Sequence, residues 1–169
     1  LSEYEARNIT EDIVREEFEQ NKDAYVSYNI SHILVCYEGA MRCAENRTKE
    51  QAKELIDDIY DQLLSNADFG DLAKEYSDCP SGEQEGNLGM LTRQSQMDAK
   101  FLEESFKLKN INQFSEPFLT DFGYHIVKLN GKKEGFEDFK NQISMQLQIQ
   151  EQMNAQVGAQ QAQQLAVKQ

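Results

Sequence analysis

Ser77-Asp78-Cys79-Pro80-Ser81-Gly82, followed by Gly86-Asn87-Leu88-Gly89 and Gln96-Met97, is the stretch on which the reading of this chain turns. It holds one of the two prolines and three of the nine glycines, set between segments that are otherwise periodic. Gly and Pro impose backbone shapes that other residues avoid, so a cluster of them marks a built loop that positions something. Cys79 lies inside it and is the first candidate site residue.

Upstream, Val26 to Cys36 alternates as a strand, with Tyr28, Ile30, His32, Leu34 and Cys36 on one face and Ser31, Ile33 and Val35 on the other. Both faces turn apolar toward its end, which predicts a central strand. Glu38 to Arg47 is a polar loop. Thr48 then caps a helix, with Gln51 at capping-box spacing. Ala52, Leu55, Ile56, Ile59, Tyr60 and Leu63 keep a helical period, and Ser65-Asn66 ends it. Asp68 starts a shorter helix with Phe69, Leu72, Ala73 and Tyr76 inward.

Downstream, Leu88 to Leu91 is a short strand and Lys100 to Lys107 a short helix. Glu116 to Thr120 is extended, Asp121-Phe122-Gly123 turns, and Tyr124 to Leu129 is a closing strand. Gly131 to Gly135 reads as a charged turn. At the ends, residues 8–22 read as a helix capped by Asn8 with Glu11, carrying Ile13, Val14 and Phe18. Phe136, Phe139, Ile143 and Leu147 keep a helical period into a Gln- and Ala-rich tail that either continues as helix or frays.

Composition narrows the function. Thirty acidic residues against 17 basic give a net charge of −13, which repels phosphate backbones and argues against nucleic-acid binding. No apolar run approaches the ~20 residues of a membrane span. The chain begins at Leu1, which reads as a mature or excised fragment, with any targeting segment missing. The three cysteines, Cys36, Cys43 and Cys79, form no CxxC. Their odd number leaves at least one free thiol, which leans toward a reducing compartment while leaving room for one pair.

The order β-α-α-β-α-β describes a small α+β domain over residues 27–131, flanked by a helix in residues 1–26 and a Gln-rich helical extension in 132–169. The chain's two histidines fall on its first and last strands, so pairing of those strands brings them together.

Taken in order, Ser31-His32-Ile33-Leu34-Val35, Ala67-Asp68-Phe69-Gly70-Asp71-Leu72-Ala73, the Ser77–Gly82 loop, Leu88-Gly89, Gln96-Met97 and Phe122-Gly123-Tyr124-His125-Ile126-Val127-Lys128 resemble the parvulin family of peptidyl-prolyl cis-trans isomerases. The flanking helices look like those of bacterial foldases of the PrsA and SurA kind. The resemblance implies an FKBP-like fold with a four-stranded antiparallel sheet. It implies an enzyme without cofactor or metal that acts on proline-containing or unfolded clients, in the bacterial envelope or secreted, with the cytoplasm as the alternative. The flanking helices permit a homodimer.

By the same resemblance His32, Cys79, His125 and Thr120 are the catalytic group. Leu88, Gln96, Met97, Phe101 and Phe122 are the substrate-binding group. The family's Gly-Gly-Asp-Leu-Gly is here Glu85-Gly86-Asn87-Leu88-Gly89, and the segment from Gly89 to Met97 is one residue longer, which puts the pocket wall in doubt. Phosphate-directed parvulins carry a basic loop after the first strand. Cys36 to Met41 holds no such cluster, with Arg42 and Arg47 only scattered beyond it, so unphosphorylated Xaa-Pro bonds are the expected substrate.

Three other readings compete. A chaperone module would grip unfolded segments with little or no catalysis. A cysteine hydrolase would pair Cys79 with a histidine, but no oxyanion loop or third group is evident. A zinc site from His32, His125 and Cys79 lacks a visible fourth ligand.

Overall fold

The computed structural model describes residues 7–167. They divide into two compact units, one of residues 26–133 and one of residues 7–25 with 134–167.

The first unit is a four-stranded antiparallel sheet in the order β2-β1-β4-β3, with β1 at Ser27–Val35, β2 at Asn87–Leu91, β3 at Phe118–Thr120 and β4 at Gly123–Lys133. Helix α3 (Lys49–Leu64) starts at Thr48, whose hydroxyl accepts from Gln51 N–H, while the Gln51 side chain accepts from Thr48 N–H. Asp68 caps α4 (Phe69–Tyr76) by accepting from Asp71 N–H, and Asp98 caps α5 (Ala99–Phe106) by accepting from Phe101 N–H. A 3-10 helix (Pro80–Gln84) lies within the glycine-rich loop. The closing hairpin contributes two strands, so the order across this unit is β-α-α-β-α-β-β.

Alternation along the two central strands builds two cores. Ile33, Val35 and Ile126 pack on one side with Ile56, Ile59, Leu72 and Ala73 of α3 and α4. Ile30, Val127 and Leu129 pack on the other with Phe101 and Phe106 of α5. The histidines share the parity of the second set, which puts them beneath α5.

One expectation fails here: residues 131–133 form no turn. Asn130 is a bulge, because Ile30 faces Leu129 while Asn29 already faces Gly131, and pairing then resumes to Ser27–Lys133. The Asn130 side-chain amide donates to Asn29 Oδ1 at 3.1 Å and Ser31 Oγ at 2.7 Å, which ties the bulge to β1.

In the second unit, α1 (Glu11–Gln20) is capped by Thr10, whose hydroxyl accepts from Ile13 N–H at 3.3 Å, and not by Asn8 with Glu11. A short α2 follows at Lys22–Tyr25. Val14 and Phe18 are buried, and Phe18 lies against Phe136 and Phe139 of α6 (Phe136–Val167). The Gln-rich tail stays helical to Val167, as its strong helix formers allow. Met145, Ile149, Met153 and Val157 stand exposed along it. No described helix is long and apolar enough to cross a membrane.

Candidate functional site

The site lies on the α5 side of the sheet. His32 faces Val127 and Leu34 faces His125 in the β1–β4 register, so the imidazoles are diagonal neighbours. Their Nδ1 atoms are 3.3 Å apart, so one carries the proton and the other accepts it. His125 Nε2 is 2.7 Å from Thr120 Oγ1, which also accepts from Phe122 N–H. His32 Nε2 is buried and has no hydrogen-bond partner among the described residues. The His125 ring stacks on Phe118, and both imidazoles meet Phe101 edge to face. Burial pushes His32 down to about 4. Burial, with His32 alongside, pushes His125 to about 3. Both rings are therefore neutral at ordinary pH.

The glycine-rich loop is stitched to β1. Leu34 N–H donates to Ser77 Oγ at 3.1 Å, Asp78 N–H to the Leu34 carbonyl at 2.8 Å, and Cys36 N–H to Asp78 Oδ2 at 2.9 Å. Arg47 pairs with the same carboxylate and donates to the Cys36 carbonyl. His32 N–H donates to the Gly86 carbonyl at 2.9 Å. At Gly86 the backbone is left-handed, and a Cβ there would lie 2.3 Å from the His32 carbonyl oxygen, so only glycine fits. These bonds hold Cys79 near the pair. Its Sγ accepts from Ser81 Oγ at 3.2 Å and bonds neither imidazole.

A cavity of about 680 Å³ opens above the histidines. His32, Cys79 and His125 line it, together with Leu88, Gln96, Met97, Phe101 and Phe122. Thr120 stands behind His125, outside the lining. Phe101 is buried, whereas Met97 is 37% exposed at the mouth. Leu34, Arg42 and Asp98 also line the cavity and were not expected there. Leu34 had a signal, since it shares a strand face with His32. Asp98 had only its cap role, in which Oδ1 accepts from Phe101 N–H at 3.0 Å.

Arg42 had as its signal only its place beyond the loop after β1, and a disulfide between Cys36 and Cys43 closes the segment that carries it. That is the one pair for which an odd cysteine count left room, and Cys79 is the free cysteine. Among the described residues no group of three or more His, Cys, Asp or Glu is placed to hold a metal.

The rotamase family model, described as a PPIC-type PPIase domain, matches residues 32–131. The foldase protein PrsA of Bacillus subtilis is 31% identical over 138 residues, covering 82% of this chain and 41% of its own length. The peptidyl-prolyl cis-trans isomerase Pin1 of Malus domestica is 38% identical over 112 residues, covering 60% of this chain and 91% of its own. The crystal structure of PrsA from Bacillus subtilis aligns with a TM-score of 0.51 at 30% identity, over 97% of this chain and 56% of that one. The chain thus spans about two fifths of the length of the curated foldases it matches.

Proposed function

This chain belongs to the rotamase family of PPIC-type peptidyl-prolyl isomerase domains, and on that premise we propose that its cavity twists unphosphorylated Xaa-Pro amides to assist protein folding. The domain acting is residues 27–131. An Xaa-Pro bond isomerises slowly because rotation breaks amide resonance, at a barrier of ~18–20 kcal/mol. No covalent bond changes. The protein accelerates the step by binding the twisted amide better than either planar form.

Leu88, Met97 and Phe101 hold the prolyl ring, with Gln96 and Phe122 at the edges of the same cavity. The amide carbonyl, no longer conjugated in the twisted state, lies against Cys79 and the imidazole pair in a site that excludes water. Cys79 acts as a polar neighbour, and no nucleophile is required. Thr120 holds His125 in one orientation.

The observation that carries this reading is the linked pair of buried, neutral imidazoles forming the floor of an apolar cavity. Isomerisation of unphosphorylated Xaa-Pro tetrapeptides tests it, with Met97→Ala as control. Acceleration that falls about tenfold or more in the variant supports the site, since 1.4 kcal/mol of lost transition-state binding is a factor of ten. No acceleration by well-folded protein overturns it.

A second reading is favoured by α6, where Met145, Ile149, Met153 and Val157 recur every fourth residue and all stand exposed. Such a stripe suits holding an unfolded client, or a second copy of the helix, with weak or no catalysis. Suppression of a client's aggregation by a chain inactive on tetrapeptides would support it. The Cys36–Cys43 disulfide supports an oxidising compartment, such as the bacterial envelope, over the cytoplasm.

A further inference from the structure

Asp98 and Arg42 are the charged residues among those that line the cavity. Asp98 follows directly on the stretch that is one residue longer than the pattern it resembles. That stretch folds back on itself. Ser95 N–H donates to the Thr92 carbonyl at 3.1 Å, Thr92 N–H to Ser95 Oγ at 2.9 Å, and Met97 N–H to the Ser95 carbonyl at 2.9 Å. The turn takes up the extra length, so Met97 and Phe101 still line the cavity, with Asp98 between them in sequence.

Asp98 is half-buried. Its Oδ1 accepts from Phe101 N–H at 3.0 Å, the cap bond of α5. A carboxylate has about four acceptor positions, so this bond leaves Oδ2 unspent. Lys100, two residues on, pairs instead with Glu104 at 3.0 Å. Asp98 forms no ion pair among the described residues. It is thus a carboxylate fixed by the start of a helix, at the wall of an apolar cavity, with an oxygen to spare.

We infer that Asp98 selects a cationic side chain, Lys or Arg, on the residue that follows the substrate proline. The inference rests on the isomerase reading. There the prolyl ring lies between Leu88, Met97 and Phe101, and the carbonyl of the preceding residue lies against Cys79. The preceding residue is therefore on the Cys79 side, and the chain that follows the ring leaves past the first turn of α5, where Asp98 stands. Arg42 keeps cations from the other side. Its segment starts at Cys36, whose N–H is bonded to Asp78 next to Cys79.

The charge of the whole chain acts in the same direction. A net charge of −13 draws cationic clients toward the surface. Salt weakens that attraction beyond about 8 Å under physiological conditions, whereas a contact with Asp98 persists. The two effects are separable, because the field acts on a lysine anywhere in a client and Asp98 only on one beside the proline.

The test uses the full chain at about 0.15 M salt and peptides with Ala before proline and Lys, Arg, Gln or Glu after it. Two further peptides move the lysine, one to the residue before proline and one to the far end of the peptide. The Lys-to-Gln ratio of kcat/KM is read within each protein, so a general loss of activity divides out. The expected ratio for the residue after proline is about three- to fivefold, the upper range of an exposed ion pair. Asn and Ser cap helices as Asp does, so Asp98→Asn and Asp98→Ser keep the start of α5 and remove only the charge. In both the ratio falls to about one.

A ratio of one in the unsubstituted chain, or one that survives both Asp98→Asn and Asp98→Ser, overturns the selectivity. A distant lysine that raises kcat/KM as much as one beside the proline assigns the preference to the overall field and overturns the contact. A lysine preferred before proline and not after it overturns the placement. If no peptide is turned over, it is the isomerase reading that fails. The same peptides are then titrated against 15N-labelled chain, where a Lys preference lost in Asp98→Asn sustains the inference and equal affinities overturn it.

Discussion

His32 and His125 sit diagonally across the two central strands with their Nδ1 atoms 3.3 Å apart. The two rings cannot both be protonated in that arrangement, since two imidazolium ions would bring like charges and like donors face to face. The pair acts as one neutral, hydrogen-bonded floor.

That neutrality sets a pH dependence. Burial lowers His32 from 6.5 to about 4, and burial with His32 alongside lowers His125 from 6.5 to about 3. Between these values and 6.5 the unfolded chain binds protons that the folded chain refuses. Stability is therefore complete above pH 6.5 and drains as pH falls toward 4. At 1.36 kcal/mol per unit, His32 alone contributes about 3 kcal/mol across that window. Imidazole 15N shifts should show both rings neutral down to pH 5. Titration of either ring near 6.5 would contradict the pairing.

Thr120 holds the pair from behind. Thr120→Val keeps the shape and removes the hydroxyl, which leaves His125 Nε2 without its partner at 2.7 Å. The expected cost is about 1–3 kcal/mol of stability, the penalty for an unsatisfied buried polar group. Turnover should fall with it, and the His125 15N pattern should change tautomer. Thr120→Ser should restore both. A purely packing role would lower stability with no change in tautomer and no rescue by serine.

Much of this arrangement is legible in the residues themselves. The 3.6-residue period and the Thr48/Gln51 box locate α3, and alternation along β1 puts His32 on the face that His125 shares. Other features depend on contacts distant in sequence. Asn130-Gly131 has the chemistry of a tight turn, but with β1 alongside the pair becomes a bulge and the strand runs on to Lys133. Thr10 takes the helix cap because its own backbone is extended there, and Asn8 lies too early. Arg42 is marked only as a scattered basic residue beyond the loop after β1, and the Cys36–Cys43 pair that closes its segment cannot be read from three cysteines alone.

Gly86 is the tightest point between the loop and the histidines. Its carbonyl accepts from His32 N–H, and a methyl there would lie 2.3 Å from the His32 carbonyl oxygen. The atom it would overlap is His32 backbone, so no flexible side chain can swing away. Gly86→Ala should cost at least about 2 kcal/mol, from combined overlap and left-handed strain. Urea unfolding measures it. A loss below about 0.5 kcal/mol would mean that the loop is free to shift away from β1.

Asp78 is the joint through which β1 positions Cys79. Its Oδ2 takes both the Cys36 N–H and the Arg47 guanidinium, and its own N–H donates to the Leu34 carbonyl. Asp78→Ala leaves two donors facing a void, at about 2–3 kcal/mol, because hydrogen bonds to a charged acceptor are worth more than neutral ones. Asp78→Asn keeps one acceptor and should cost less. Crossing each with Arg47→Ala separates the ion pair from the strand contact: the Arg47 effect should nearly vanish in the Asp78→Ala background. Additive losses would show that Arg47 stabilises the strand end through its bond to the Cys36 carbonyl instead.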